Sequence, residues 1–252
     1  MDTSKQNACV IIPARYSSSR FPGKPLIPLL GKPMIIWVCE LSARAIGAEN
    51  VFVATDDNRI ASVVDDAGFK SIITSKSALT GTDRVAEAAR DLNYEIYINV
   101  QGDEPLVSPD DISRAIHEKR LNFDKVINGY CFLGVDESPA NVNIPKVVTA
   151  ENGRLLYISR SPIPGSKLGT LKNEMYKKQV CIYAFNSSEL EQFLAYSTKS
   201  TLEEIEDIEI LRFFELNIDT LMFQCASGSL AIDCPEDVPP VEKKLKQLIC
   251  EK

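Results

Sequence analysis

Three short, predominantly apolar runs, at residues 8–12, 51–55 and 95–100, are each followed by Gly, Pro, Ser or acidic residues and then by apolar positions at helical spacing. Strand, helix, strand within about forty residues describes a right-handed βαβ unit, because parallel neighbours need a crossover and only one hand packs back onto the sheet. The alternation therefore calls for an α/β fold with a doubly wound, mostly parallel sheet. Met34, Ile35, Val38, Leu41, Ser42 and Ala45 mark the first helix, and Gly47 suits its end. A second helix spans 58–67, closed by Gly68. After a brief strand at 71–74, Thr82 is the expected N-cap of helix 85–92. Strand 95–100 exits through Gln101-Gly102-Asp103-Glu104-Pro105, which cannot continue a sheet. Ser108-Pro109-Asp110-Asp111 reads as N-cap, Pro at N1 and acidic first turn of helix 112–121.

Beyond residue 125 the alternation loosens. Residues 126–131, 144–149 and 179–185 read as strands, and 159–169 as a Pro/Gly/Ser-rich loop. The segment 126–200 is expected to form a smaller mixed α/β lobe folded over the first half, within a single domain at 1–252, since no flexible linker separates it. Leu202, Ile205, Ile208, Leu211 and Phe214 predict one amphipathic helix over 202–216 with an acidic opposite face. A late strand follows at 222–226. Pro239-Pro240 delays the regular part of the last helix to near Pro240.

A net charge of −7 argues against nucleic-acid or anionic-membrane binding, so an anionic ligand has to be met by local cations. No apolar run approaches the roughly 18 residues that span a bilayer. The polar start at 1–7 lacks the apolar core of a signal peptide, so the expected location is cytoplasmic, without membrane insertion. Seven cysteines, an odd set without C-x-x-C spacing, read as reduced core residues. The single histidine, His117, lies in a helical stretch away from every motif, which disfavours His-based catalysis.

The loop after the first strand carries three cations, Arg15, Arg20 and Lys24, in ten residues. Guanidinium forks and exposed amides at the carboxyl end of a parallel strand suit a polyphosphate, the alternative being an ordinary basic surface loop. Neither a P-loop nor a G-x-G-x-x-G turn is present. Asp103, on its Gly-flanked turn, suits either a phosphate-bound Mg²⁺ or simple turn formation, and Asp233, after Ala231-Ile232, is the natural second carboxylate. Gln101 can read a base edge or make a structural bond. Arg84 and Arg160 can clamp a carboxylate bidentately or form surface ion pairs. The acidic run 203–209 reads mostly as a solvated helix face.

P-A-R-Y-x-S-x-R-x-P-G-K-P-L, at residues 13–26, resembles the opening loop of the bacterial CMP-sugar synthetases that activate 3-deoxy-manno-octulosonate (KDO). Val53-Ala54-Thr55-Asp56-Asp57, Gly81-Thr82-Asp83-Arg84, Asn99-Val100-Gln101-Gly102-Asp103-Glu104-Pro105, Tyr157-Ile158-Ser159-Arg160 and Asp233-Cys234-Pro235-Glu236-Asp237 match in the same order, so the resemblance spans nearly the whole chain. It implies a nucleotidyltransferase-like sheet, a homodimer, and CMP transfer from CTP to the anomeric hydroxyl of a 2-keto-3-deoxy sugar acid. It assigns Arg15, Lys24, Asp103 and Asp233 to catalysis, with Mg²⁺ on the two aspartates. Nucleotide contacts fall to Pro13, Ala14, Arg15, Ser19, Arg20, Lys24, Thr55, Asp56, Ser75, Gly81, Gln101, Gly102 and Asp103. Acceptor contacts fall to Arg84, Gln101, Arg160, Gln179, Tyr183, Glu206, Glu209 and Asp233. Two positions depart from the family pattern: Gln179 replaces a usual His, and Ile210 replaces the Gln of a usual Glu-Gln pair, so the acceptor pocket is where this chain differs. The alternatives are a CTP-dependent transferase for another ulosonic acid or a phosphonate, and a non-catalytic nucleotide-binding protein.

Overall fold

Strand β1 (Ala8–Ala14) is buried along its whole length, with Val10, Ile12 and Ala14 entering one apolar layer and Cys9 and Ile11 another. A strand without a polar face has to be covered on both sides. The computed structural model describes residues 7–17, 21–169, 171–226 and 230–250. After β1 come a small hairpin, β2 (Pro28–Leu29) and β3 (Lys32–Pro33), then α1 (Met34–Ile46), β4 (Val51–Thr55), α2 (Asn58–Asp66), β5 (Lys70–Ile73), α3 (Gly81–Ala89), β6 (Ile96–Val100) and α4 (Pro109–Leu121). The later half holds β7 (Val126–Phe132), β8 (Lys146–Thr149), β9 (Leu155–Ser159), β10 (Lys177–Phe185), α5 (Ser187–Ala195), α6 (Thr201–Glu206), α7 (Ile210–Glu215), β11 (Thr220–Gln224) and α8 (Val238–Cys250).

The sheet runs β11-β7-β10-β6-β1-β4-β5. Pairs β1–β4, β1–β6, β4–β5 and β7–β11 are parallel, and only β10 runs against its neighbours β6 and β7. The β8–β9 pair branches from the start of β10. Helices α1, α2 and α4 cover one face with Ile35, Val38, Ile60, Val64, Ile112 and Ile116. Helices α3, α5 and α7 cover the other with Val85, Ala88, Leu190, Phe193, Leu211 and Phe213. From β1 the chain adds β4 and β5 on one side, then returns to lay β6 on the other. That reversal opens a crevice at the carboxyl ends of β1 and β6, where ligands of open α/β sheets bind.

The expected fold class and most boundaries hold, with five corrections. Segment 126–200 is not a lobe folded over the first half, because β7 and β10 continue the central sheet beyond β6. Helix α3 is capped by Thr80, whose hydroxyl accepts from the Asp83 N–H at 3.2 Å, because the amide and hydroxyl of Thr82 are engaged by Glu209. The expected helix over 202–216 is two helices, broken where Asp207 turns left-handed at φ 50°. Strand β9 has no counterpart in the sequence expectation. Helix α8 starts at Val238, so Pro239 and Pro240 fall in its first turn, where a missing N–H costs nothing.

Cys9, Cys39, Cys131 and Cys225 are buried free thiols, and burial pushes Cys131 up to about 11. His117 is exposed on α4. No described helix is long and apolar enough to cross a membrane.

Candidate active site

β1 delivers Pro13 and Ala14 buried and Arg15 exposed to the crevice. Ser19 and Arg20 lie outside the described residues. The loop re-enters at Gly23, whose φ of +71° favours glycine and whose N–H donates to the Tyr16 carbonyl at 2.9 Å. A Cβ there would also sit 3.3 Å from the Tyr16 ring. Arg59 stacks on that ring at 3.3 Å and grips Asp57 through two bonds of 2.8 and 2.7 Å. Lys24 thus leaves a backbone fixed on both sides, at the start of a short 3-10 turn (Lys24–Leu26).

The exit of β6 lies against β1. A Cβ on Gly102 would come within 2.9 Å of the Pro13 carbonyl oxygen, so only glycine allows this approach. Asp103 follows, and its Oδ2 accepts from Lys24 Nζ at 2.7 Å, while the same ammonium reaches Asp233 Oδ1 at 3.4 Å. The two carboxylate oxygens are therefore no farther apart than the sum of those lengths. Backbone pairing enforces the meeting: the Ile232 N–H donates to the Asp103 carbonyl at 3.0 Å. Ile232 is itself fully buried in a cluster with Met34 and Trp37 of α1 and Val241 and Leu245 of α8. The Asp237 carboxylate then shapes the turn, accepting the N–H groups of Asp233 at 2.8 Å and Cys234 at 2.9 Å. Burial raises the Asp237 pKa, but the Cys234 thiol and these amides outweigh it and leave a net lowering.

Among the described residues no three His, Cys, Asp or Glu side chains gather as a metal cage. Two half-exposed carboxylates beside a loop that carries Arg15 and Lys24 are nonetheless a donor set Mg²⁺ accepts, since it keeps waters and phosphate oxygens in its shell. The residues present fit that ion.

At the ends of β4 and β5, Thr55 is buried and Asp56 lies 3.7 Å from Arg84. Arg84 is 4% exposed and donates to Thr74 Oγ1 at 2.5 Å and the Ser75 carbonyl at 3.3 Å. Burial lowers its pKa against the pull of Asp56. It is a strut between two strand exits, neither a surface ion pair nor a presented clamp. Ser75 is exposed, its N–H held by Glu87 at 2.8 Å, and the buried Asp56 Oδ1 has no hydrogen-bond partner among the described residues.

The acceptor-side residues divide into two groups. Glu209 accepts from the N–H groups of Gly81 and Thr82, each at 2.9 Å, and from the Thr82 hydroxyl at 2.5 Å. It closes the positive end of α3. Burial raises its pKa, opposed by those bonds. The Gln101 amide lies over Gly81, where a Cβ would be 3.0 Å from its nitrogen. Gln179 donates to Asn128 Oδ1 at 3.0 Å and to the Tyr183 hydroxyl at 3.2 Å, and burial pushes the Tyr183 pKa well up. Asn128 in turn donates to the carbonyls of Val180 and Ile182, across the irregularity in β10.

Arg160 and Glu206 stand apart from this group. The Arg160 guanidinium donates to the carbonyls of Glu206, Val142 and Asp207 at 2.5, 2.7 and 2.8 Å. The Glu206 carboxylate accepts from Ser159 Oγ at 2.6 Å and the Arg160 N–H at 2.9 Å. The expected carboxylate clamp and sugar contact are thus a strap between the end of β9 and the α6–α7 turn. Ile210 is 1% exposed in the core beside Leu211 and Phe213, so its departure from the family pattern is a matter of packing.

Sequence reasoning missed the support beneath. Fully buried Arg212 bonds Asp83 at 2.7 and 3.2 Å and Glu203 at 2.7 and 2.6 Å, tying the first turn of α3 to α6. A lone Arg inside the apolar run Ile210-Leu211-Arg212-Phe213-Phe214 was the available signal. Asp237 was signalled by the capping box it closes with Cys234.

A family model described as cytidylyltransferase matches residues 9–220. The chain is 42% identical over 241 residues to the 3-deoxy-manno-octulosonate cytidylyltransferase of Anaeromyxobacter sp. (strain K), covering 92% of this chain and 95% of the relative. It is 39% identical over 248 residues to the 8-amino-3,8-dideoxy-manno-octulosonate cytidylyltransferase of Shewanella sp. (strain W3-18-1), covering 95% and 98%. A solved structure of CMP:2-keto-3-deoxy-manno-octonic acid synthetase complexed with CTP superposes with a TM-score of 0.87 at 35% identity, covering 96% of this chain and 99% of that one.

Proposed function

The chain belongs to the cytidylyltransferase family, and we propose that it transfers CMP from CTP to the anomeric hydroxyl of KDO, releasing pyrophosphate. The observation that carries this is the meeting of Lys24, Asp103 and Asp233 at the crevice between β1 and β6. The hydroxyl oxygen attacks the α-phosphorus and gives up its proton to water, the bond to the bridging oxygen breaks, and pyrophosphate leaves with its electrons. Catalysis then consists of positioning and charge neutralisation. Arg15 and Lys24, with Ser19 and Arg20 of the same loop, hold the phosphates. Asp103 and Asp233 would hold Mg²⁺, which when bound draws charge from the reacting phosphate.

Around them, Thr55, Asp56, Ser75, Gly81 and Gln101 edge the nucleotide side, where Asp56 Oδ1 offers an acceptor. Gln101, Gln179 and Tyr183 face the acid, and Glu209 holds the start of α3 beneath it. Arg84, Arg160 and Glu206 keep the walls in register. The segment 126–200, with Val135, Leu168 and Met175 exposed, serves as a homodimer face of this single-domain, cytoplasmic enzyme.

The test is pyrophosphate release from CTP and Mg²⁺ with KDO, its 8-amino analogue, another ulosonic acid and a phosphonate. KDO-dependent release is expected. Release with a different acid alone would replace KDO as substrate, and CTP binding without release under any acid would identify a non-catalytic protein.

A further inference from the structure

Lys24 places its ammonium where a divalent ion on Asp103 and Asp233 would have to sit. It lies 2.7 Å from Asp103 Oδ2 and 3.4 Å from Asp233 Oδ1, and Mg²⁺ bonds such oxygens at about 2.1 Å. Two cations sharing those oxygens would repel each other in a half-sheltered site. We propose that Lys24 and the divalent metal exchange at the Asp103–Asp233 pair, the metal entering only as the triphosphate draws the lysine away.

The backbone around these three groups is held. The Asp103 backbone is bonded to Ile232, and the Asp233 turn is held by Asp237. Gly23 is fixed on Tyr16, and Pro25 stiffens the position after Lys24. The lysine stem, with four rotatable bonds, is therefore the part able to move. Its destination is the anion beside Arg15, on the same loop. With the lysine in place, the two carboxylates stay gathered on one cation without repelling each other. Metal arriving alone has to displace a resident cation, whereas nucleotide supplies the displaced lysine with phosphate oxygens. Nucleotide and metal thus raise each other's affinity by the same factor, as linkage requires.

The exchange presupposes that Asp103 and Asp233 hold the metal. The probe is Mn²⁺, followed by electron paramagnetic resonance of the free ion and by water-proton relaxation of the protein-bound ion, on the full chain without acid. In the absence of CTP, Lys24→Met is expected to bind Mn²⁺ at least about tenfold more tightly than the wild type, a typical coupling factor. Lys24→Gln repeats the measurement with a polar tip in case the apolar variant does not fold. Lys244→Met, which removes an exposed charge from α8, should leave the affinity unchanged. Equal Mn²⁺ affinity of wild type and both Lys24 variants without CTP overturns the exchange while leaving the metal pair standing. If wild type with CTP forms no protein-bound Mn²⁺ complex, or Asp233→Asn forms it equally well, the metal pair itself fails and the exchange falls with it.

Discussion

Replacing Arg212 with Met tests the support under the site. Arg212 is fully buried, Asp83 is 4% exposed and Glu203 1%, so the variant strands two carboxylates in the core. Breaking a buried ion pair by removing one partner costs about 3–5 kcal/mol. Two local donors limit the loss here: the Thr80 hydroxyl stays on Asp83 at 2.6 Å, and the Ser200 N–H stays on Glu203 at 3.0 Å. We therefore place the cost near the lower bound, about 3 kcal/mol, which for a chain of this length lowers the melting temperature by roughly 6–12 °C. Thermal unfolding of wild type and variant at pH 7.5 measures the loss. The companion Asp83→Asn, Glu203→Gln, Arg212→Met, which removes the charges together, should recover most of the loss. A shift below about 2 °C would show that the triad does not carry the energy argued here.

Asp103→Asn is expected to abolish pyrophosphate release, and because the Lys24 pair is partly exposed its stability should stay within about 1 kcal/mol of wild type; turnover retained at saturating Mg²⁺ would remove the metal role. Glu209→Gln keeps only one oxygen for the amides of Gly81 and Thr82, so KM for the acid should rise several-fold with KM for CTP little changed. Burial holds the Glu209 pKa above its unfolded value, so wild-type stability gains from this residue as pH falls through the folded value, and Glu209→Gln should lack that gain. Urea unfolding at pH 7 and pH 5 compares the two slopes, and equal slopes would mean that this carboxylate does not titrate in that range.

The sheet was legible because its strands are apolar on both faces and its helices are punctuated by Gly47, Gly68 and Ser108, signals that local backbone physics imposes. The loop after β1 stood out in the sequence for its three cations, of which Arg15 and Lys24 are among the described residues. What stayed hidden is side-chain direction. Arg84 and Arg160 have the right chemistry for a carboxylate clamp, but what a guanidinium meets depends on how other segments pack against it, Thr74 and Ser75 at the exit of β5 for one and the α6–α7 turn for the other. The break at Asp207 was invisible for the same reason, since the apolar spacing of 202–216 continues through it. Only the opposite pulls on Glu206, toward β9, and on Glu209, toward α3, flank the left-handed residue between them.

Strand β10 is the one strand that runs against its neighbours in the central sheet, and it carries Gln179 and Tyr183. Gln179 donates both to the Tyr183 hydroxyl and to Asn128 on β7, while Lys24 and both carboxylates hang from other segments. On the proposed assignment, changes in which acid is accepted can accumulate on the β7–β10 ribbon, away from the segments that carry Lys24, Asp103 and Asp233, so that a lineage retunes its choice of sugar while the machinery that handles CTP is inherited.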